Sequence, residues 1–500
     1  MAFDQSITSG SDFLQLNIAD APPGGRAEWL AQRIRQAISD GRLPVGSKLP
    51  ATRALAGELH VSRGLVTEAY LRLGEDGHVV GRGRGGTVVV VAPLASPTPG
   101  RAPGPAGPRP AGPYVAGPGL TDALFSASPG AGVFGALRAV PARVDLSPGV
   151  PDLTAFPRAA WLRAERRVLT DLPASALGYG DPAGTPQMRL AVANWLARTR
   201  GIRVTPDEVL VVAGVAQALG LLAQVLSRDG ICEIAVEDPG SLGARQQLQG
   251  WQVGTPPVAV DPGGLRVGEL RASGAVAVLL TPAHQFPTGV VLDGERRREL
   301  MRWAAGGGLI IEDDYDAEHR YDRPPVPALC SMFADQVFYL GSVSKLLAPA
   351  LRVGWVVAPA RYRDRLIEAK RDADLGNATL PQLVLAQLLG SGEMERQLRF
   401  LRRRHRRRRD AMLDAIAAHL PGAVVHGAAA GLHLMVTFDG TFDDIDVAAG
   451  SLTQGVKVHP LSWYSQRPCQ PGLVLGYAAN TPGTISDGIA TLGQVLRALS

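Results

Sequence analysis

Apolar residues recur with two different periods along this chain, and the change of period divides it. Between residues 26 and 91, Leu30, Ile34, Ala37 and Ile38 fall at i, i+4, i+7 and i+8, which predicts a helix with a single apolar stripe. Gly41 closes it, and a Pro/Gly turn (Leu43 to Gly46) follows. A second short helix is predicted from Thr52 to His60, burying Leu55 and Leu59. Ser62 can cap a third that buries Leu65, Val66, Ala69, Tyr70 and Leu73 and stops near Gly77. Val79-Val80 and Thr87 to Val91 then read as two strands joined by a glycine/arginine turn. Helix, tight turn, helix and hairpin in that order make a winged helix-turn-helix.

Beyond residue 145 short apolar runs alternate with helical stretches. The runs are Val209 to Ala213, Cys232 to Val236, Val276 to Leu280, Leu309 to Glu312, Val337 to Leu340 and Val353 to Val357. Such alternation predicts an α/β fold with a mostly parallel, doubly wound sheet. Between the two regions, Pro93 to about Pro118 is nearly all Pro, Gly and Ala, a composition that cannot bury a core. Roughly 26 residues of semi-stiff linker would span about 80 Å at full extension, enough for two readers to reach separated half-sites. The expected organisation is a DNA-reading domain over 20–91, a linker over 92–143 and a large domain over 144–500, the last ending in a smaller α+β part.

Composition narrows the classes. With 51 Lys+Arg against 46 Asp+Glu the formal charge is only +5, so any nucleic-acid surface must be local. Arg53 opens the second predicted helix and Arg63 the third, whose amino end enters the major groove in this motif, while Arg82 and Arg84 sit on the wing. Three cysteines (Cys232, Cys330, Cys469) have neither disulfide nor zinc spacing, and no metal site is expected. No apolar run approaches a membrane span, and the first residues lack the features of a signal peptide, so a cytoplasmic protein is expected.

The chemistry concentrates in Gly341 to Trp355, GSVSKLLAPALRVGW. Two hydroxyls (Ser342, Ser344) and Arg352 around Lys345 suit an anion such as phosphate, and a desolvated lysine condenses with aldehydes. A phosphate-bearing aldehyde describes pyridoxal 5'-phosphate. That cofactor needs an acid against its pyridine nitrogen, and the strand Leu309 to Ile311 delivers Asp313, with Tyr315 two positions on. Asp313 and Asp314 could instead cap a turn. Gly214-Val215-Ala216-Gln217 opens a helix after a strand, and the amides of Val215 and Ala216 would suit a phosphate.

Two resemblances extend this reading. GRLPVGSKLPATRALAGELHVSRGLVTEAYLRLGEDGHV closely resembles the GntR-type DNA-binding domain, which implies that Arg53 and Arg63 contact operator DNA with Ser62 and Thr67 alongside; Gly64 is small where polar residues are common. LSPGVPDLTAFP, LGYGDPAG, TPAHQFPTG, EDDYD, SVSK and LRVGW resemble the fold-type I aminotransferase family, and the two-part chain resembles the MocR-type subgroup of GntR regulators. By matching positions, the resemblance implies that Lys345 forms the internal aldimine, Asp313 pairs with the pyridinium nitrogen and Tyr315 bonds the ring hydroxyl. It also implies that Ser342, Ser344, Arg352, Val215 and Ala216 hold the phosphate, helped by Tyr179 from a partner subunit in a head-to-tail homodimer with swapped readers.

Two departures stand out. Ser241 follows Asp238-Pro239-Gly240 where the family often has an aromatic, and the late strand Gly472 to Tyr477 offers no arginine for a substrate carboxylate, leaving only Arg467 in the preceding loop. The expected function is therefore a regulator of transcription that binds double-stranded operator DNA and senses pyridoxal phosphate, or an amine or amino acid joined to it, with vitamin B6 supply as the expected target. The alternative is an active aminotransferase with an accessory DNA-binding domain. The basic run Arg402 to Arg409, inside a helical pattern from Glu393 to Leu420, is expected to be a solvated face pairing with acids across the dimer.

Overall fold

The computed structural model describes residues 14, 16, 18–22, 25–40, 42–81, 86–90, 124, 125, 129–320 and 326–499. The chain divides into two compact units, residues 1–110 and 111–500.

In the first unit, α1 (Arg26–Ser39), α2 (Thr52–Glu58) and α3 (Arg63–Glu75) pack on a small antiparallel sheet. Leu30, Ile34, Ala37 and Ile38 of α1 meet Leu55, Val66, Ala69 and Leu73 in one core, so the predicted stripes are the buried faces. Leu65, expected inside, is half-buried at its edge. Ser62 caps α3 by accepting from the Leu65 amide at 3.3 Å, worth about 1 kcal/mol. The sheet has a third strand that the pattern did not predict. β1 (Lys48–Leu49) pairs with β3 (Thr87–Val89), which pairs with β2 (Val79–Gly81). Two residues are too few for a period to register. The wing residues Arg82 and Arg84, and Gly41, lie outside the described residues.

The second unit starts earlier than expected. Within the stretch assigned to a linker up to residue 143, Leu124 and Phe125 are buried and α4 (Val133–Ala139) is a helix. Val133, Leu137 and Val140 insert into the same core as Leu434, Val474 and Ile489. Three apolar side chains among alanines and glycines are a weak sequence signal, yet they suffice once a core exists to receive them. The boundary expected at 143 is thus corrected towards the N-terminus.

After β4 (Val144–Asp145), the main sheet takes β5 (Val209–Val212), β6 (Ala235–Asp238), β7 (Pro257–Asp261), β8 (Gly264–Leu265), β9 (Ala277–Leu280), β10 (Leu309–Asp313), β11 (Val337–Ser342) and β12 (Gly354–Val357). Their spatial order is β5-β12-β11-β10-β9-β6-β7-β8. β11, β10, β9, β6 and β7 run parallel, β12 is antiparallel to both neighbours, and β8 returns as a short antiparallel edge. Alternate residues feed two cores. Val209, Val211, Val278, Leu280, Ile310 and Tyr339 join one, and Leu210, Val212, Leu279, Ile311, Phe338 and Leu340 the other. Burial on both faces explains why these strands read as continuous apolar runs. The strand expected at Cys232 starts instead at Ala235, leaving Cys232 exposed.

A second, antiparallel sheet of β13 (Val424–His426), β14 (His433–Thr437), β17 (Gly472–Gly476) and β16 (His459–Pro460) forms the C-terminal α+β part, and β15 (Val456–Lys457) pairs with β4. Among the described residues no helix is long and apolar enough to cross a membrane.

The arginine-rich helix departs from expectation. It runs over Glu393–His419, but His405 is fully buried, and Arg404 and Arg408 both reach Asp152 of the same chain, at 2.8 and 2.7 Å. Arg402 donates to the Glu318 carbonyl at 2.8 Å and Arg409 to the Ala428 carbonyl at 3.0 Å. Every third or fourth position of the run therefore faces inward, and only Arg403, Arg406 and Arg407 lie on the exposed side. Replacing Asp152 with alanine takes the shared carboxylate from two largely buried guanidinium groups, so a loss of about 3–5 kcal/mol is expected in denaturant unfolding. A loss below about 1 kcal/mol would show that the pair is solvated like an ordinary surface bridge.

Candidate functional site

The site is built on the carboxyl ends of adjacent parallel strands. β10 and β11 pair with Asp313 opposite Leu340, so Asp313 ends one strand where the other runs on to Ser342 and then Lys345. The Lys345 amine donates to the Gly149 carbonyl. Gly149 has a φ of +78°, and a Cβ there would sit 3.1 Å from the lysine nitrogen, so a side chain would crowd the amine. Burial pushes the Lys345 amine below its usual range, with Asp313 and Asp316 opposing the shift.

Three successive acids at the end of β10 have different fates. Glu312 accepts from the Leu329 and Cys330 amides at 2.9 and 3.0 Å. Asp314 is fully buried against Arg200 and takes the Tyr339 hydroxyl at 2.6 Å. Asp313, between them, makes no hydrogen bond, and its Oδ1 is sealed from solvent. Burial first, and then the charges of Asp314 and Asp316, raise its pKa to about 7. Neither Asp313 nor Asp314 caps a helix or turn; Glu312 holds the first amides of the 3-10 turn Leu329–Ser331. A buried carboxyl without a donor is costly, which marks the place where a ligand N–H belongs.

A candidate anion cradle lies at the end of β5. Gly214, with a φ of +89°, leads into α5 (Val215–Arg228), whose first turn exposes the amides of Val215 and Ala216. Arg352 donates to the Ala213 carbonyl and lies against Gly214, where a Cβ would come within 3.4 Å of the guanidinium. The arginine itself is in the left-handed region (φ 51°, ψ 47°), a strained conformation for such a residue. Ser342 and Ser344 stand beside one another, the Ser344 amide donating to the Ser342 hydroxyl at 3.4 Å. Gln217 braces the turn, accepting from the Ala213 amide at 2.7 Å and donating to Asp374 at 2.6 Å, while buried Lys370 holds Asp374 at 2.8 Å. Gln217 and Lys370 carry no motif in the sequence.

Tyr315 is half-buried, and its hydroxyl lies 3.1 Å from His284 Nδ1, which is 2.8 Å from Asp316. His284 stands in TPAHQFPTG and Asp316 in EDDYD, strings singled out without these residues being given a role. Tyr179 does not join the site within its own chain; it is 95% exposed in a turn. Ser241 caps the helix Leu242–Gly250 by accepting from the Ala244 amide at 3.3 Å. Arg467 is tied to Glu269 at 3.1 Å and to the Pro257 carbonyl at 2.9 Å, and the late strand β17 is apolar throughout. One guanidinium was missed. Arg138 on α4 makes no hydrogen bond or ion pair with the described residues through its side chain, and its charge lowers the pKa of Lys345 and of His459. It sits one turn after Phe134, which stacks on His459 at 5.3 Å.

In the reading unit, Arg53 and Arg63 are exposed at the amino ends of α2 and α3, and Arg63 Nε lies 3.4 Å from the Thr52 hydroxyl. Thr67 is exposed one turn along α3, donating to the Arg63 carbonyl at 2.9 Å. Gly64 faces open space.

The fold and the two sites define a DNA-reading domain joined to an aminotransferase-like domain. Residues 26–89 match the bacterial regulatory proteins of the gntR family, and residues 142–467 match aminotransferase class I and II. The probable rhizopine catabolism regulatory protein MocR of Rhizobium meliloti is 30% identical over 475 residues, covering 94% of this chain and 93% of that protein. The pyridoxine biosynthesis transcriptional regulator PdxR of Corynebacterium glutamicum is 29% identical, covering 93% and 95%. Among solved structures, the α-aminoadipate aminotransferase LysN of Thermus thermophilus, complexed with N-(5'-phosphopyridoxyl)-L-leucine, is 27% identical with a TM-score of 0.65, covering 71% of this chain and 92% of that one. The chain belongs to the MocR-type subgroup of GntR-family transcriptional regulators, with a class I and II aminotransferase domain behind its DNA-binding domain.

Two predictions follow from these geometries. A carboxyl whose pKa rises from 3.8 to about 7 on folding costs stability progressively as pH climbs through that interval, because the unfolded chain releases a proton the folded chain keeps. Asp313→Asn removes this cost, so in ligand-free protein its melting temperature should gain on wild type between about pH 4 and about pH 8. A difference that stays constant with pH would mean the carboxyl is not held neutral. In the reader, Arg63→Ala should lower specific operator affinity by roughly 1–3 kcal/mol in retardation assays. Equal binding across salt concentrations would remove Arg63 from the interface.

Proposed function

We propose that the aminotransferase-like domain of this regulator holds pyridoxal 5'-phosphate as its effector, and that loading changes the affinity of the reader domain for operator DNA. The observation carrying this reading is the half-buried Asp313 carboxyl, whose Oδ1 is sealed from solvent with no donor among the described residues and whose charge interacts with that of Lys345. The donor set fits the group. When bound, the cofactor supplies an electrophilic aldehyde conjugated to an electron-accepting ring. Lys345, with its depressed pKa, offers the amine that aldehyde needs. Asp313 would hold the proton on the pyridine nitrogen, and Tyr315 would donate to the ring oxygen. Ser342, Ser344, Arg352 and the amides of Val215 and Ala216 would hold the phosphate. Tyr179 would reach the phosphate of a second subunit in a head-to-tail homodimer, a role consistent with its full exposure in the single chain.

The likeness to a pyridoxine biosynthesis regulator supports vitamin B6 supply as the controlled process. A second reading is favoured by Arg138. Its unpaired guanidinium suits the carboxylate of an amino acid joined to the cofactor, the donor that β17 and Arg467 do not provide. On that reading the cofactor is resident and the amino acid is the signal. The alternative of an active aminotransferase uses the same residues and is separated from both by turnover of amino-acid and keto-acid pairs.

A switch requires differential affinity in the two states. Loaded and cofactor-free protein should differ in operator affinity by about tenfold, within the usual range of coupling between sites. Lys345→Ala should keep its fold, lose the visible absorption band and the borohydride-reducible adduct, and bind the operator alike with or without cofactor. Arg138→Ala should abolish any response to amino acids while leaving the response to cofactor intact. Identical operator affinity of the two wild-type forms, together with an amine-induced change, would replace the cofactor by the amine as effector.

A further inference from the structure

Tyr315 and Asp313 are two positions apart, so they leave β10 on the same side of the chain, and a histidine from another loop meets the tyrosine there. His284 follows β9, and its Nδ1 is shared between Asp316 Oδ2 at 2.8 Å and the Tyr315 hydroxyl at 3.1 Å. An imidazole nitrogen turned towards a carboxylate at that distance must carry its proton, since two lone pairs would repel. The proton on Nδ1 then serves Asp316 and, as the minor branch of the same donor, the Tyr315 oxygen. Tyr315 is thus an acceptor towards His284, and its own O–H is left to point elsewhere.

Two acceptors compete for that O–H: the Asp316 carboxylate and any oxygen in the site. Asp316 is close enough that, after burial, its charge is the main influence on the tyrosine. His284 supplies Asp316 with a donor and so weakens its claim on the tyrosine proton. The other charged or titratable groups around this cluster are Asp313, Glu237, His319, His433 and Lys345. The His433 ring lies 5.4 Å from that of His284.

The far side of the imidazole argues against a packing role. Nε2 is buried without a partner, pressed against Gly289 and Gly431, where a Cβ would lie 3.1 Å from Nε2 and 2.2 Å from Cε1 respectively. A phenyl ring would fill much the same space without stranding a nitrogen, and an unsatisfied buried acceptor is costly. What offsets that cost is on the Nδ1 side.

We propose that His284, fixed by Asp316, is a positioning residue that turns the Tyr315 hydroxyl proton into the ligand site, making Tyr315 a hydrogen-bond donor to an oxyanion held between Asp313 and Lys345. The inference rests on the cofactor reading above, in which that oxyanion is the ring oxygen of pyridoxal phosphate. A donor to this oxygen favours its ionised form, so losing the donor makes the oxygen hold a proton more tightly.

The test is a spectroscopic pH titration of the full-length, cofactor-loaded protein, following the visible band. His284→Phe and Tyr315→Phe should each raise the apparent pKa of the band by about one unit, the size of one hydrogen bond to a charged group. The double variant should shift no further than either single one, because both remove the same interaction. His284→Ala, which removes the same donor without introducing a ring, should shift the same way and decides the matter if His284→Phe does not fold. A His284→Phe titration identical to wild type, or additive shifts in the double variant, would overturn the positioning role. A wild type with no visible band at all would instead overturn the cofactor reading on which it rests.

Discussion

A half-buried carboxyl whose sealed oxygen has no partner among the described residues is the constraint around which the second unit is arranged. The chain places Glu312, Asp313 and Asp314 in succession at the end of a central strand and supplies donors for the outer two. Backbone amides from residues 329 and 330 take Glu312; Arg200 and Tyr339 take Asp314. Without those partners three acids could not share one strand end, because the charge of Asp314 raises the proton affinity of both Glu312 and Asp313. Asp313 alone has no donor on either carboxyl oxygen among the described residues. The cost is carried by the surrounding cores and is recoverable only by a ligand that brings an N–H, which links the stability of the domain to its loading.

The same logic governs the other end of the site. Arg352 is held in a strained left-handed conformation beside a glycine that a Cβ would crowd, and Gln217, Lys370 and Asp374 brace the helix that opens there. Strain and bracing together set donors in place before a phosphate arrives, so less ordering is needed on binding. In a regulator this matters more than in a catalyst. On the proposed reading the domain has to register whether a ligand is present, and a preformed cradle at one end with an unsatisfied acid at the other would make the two states differ in energy as well as in occupancy.

The arginine-rich helix shows how composition misleads when the fold is absent. Eight consecutive basic residues suggested a solvated face awaiting a partner molecule, but helical geometry turns Arg404, His405 and Arg408 inward, and Asp152 from a distant loop meets two of them. Linker composition misled in the opposite sense. Glycine and alanine around Val133 and Leu137 hid a helix that exists because a separate core accepts its two apolar side chains. It also carries Arg138, whose guanidinium has no hydrogen-bond or ion-pair partner among the described residues and whose charge acts on Lys345.

The sequence by itself determined the elements whose signals are local. Apolar periods located the three reader helices and most of the central strands, Ser62 announced its cap, and the spacing from Ser342 to Arg352 singled out two hydroxyls, a lysine and an arginine as candidates for one site. It also placed Asp313 at a strand end, because a strand's terminus is readable from where its apolar run stops. What it could not determine was satisfaction. Whether Asp313 or Asp314 is left without a donor depends on Arg200 and Tyr339, residues more than twenty positions away. Likewise, the imidazole shared between Tyr315 and Asp316 comes from a loop after a different strand. Hydrogen-bond partners and buried charge pairs are set by which strands become neighbours, a long-range property no local pattern encodes, and only the tertiary structure decided them.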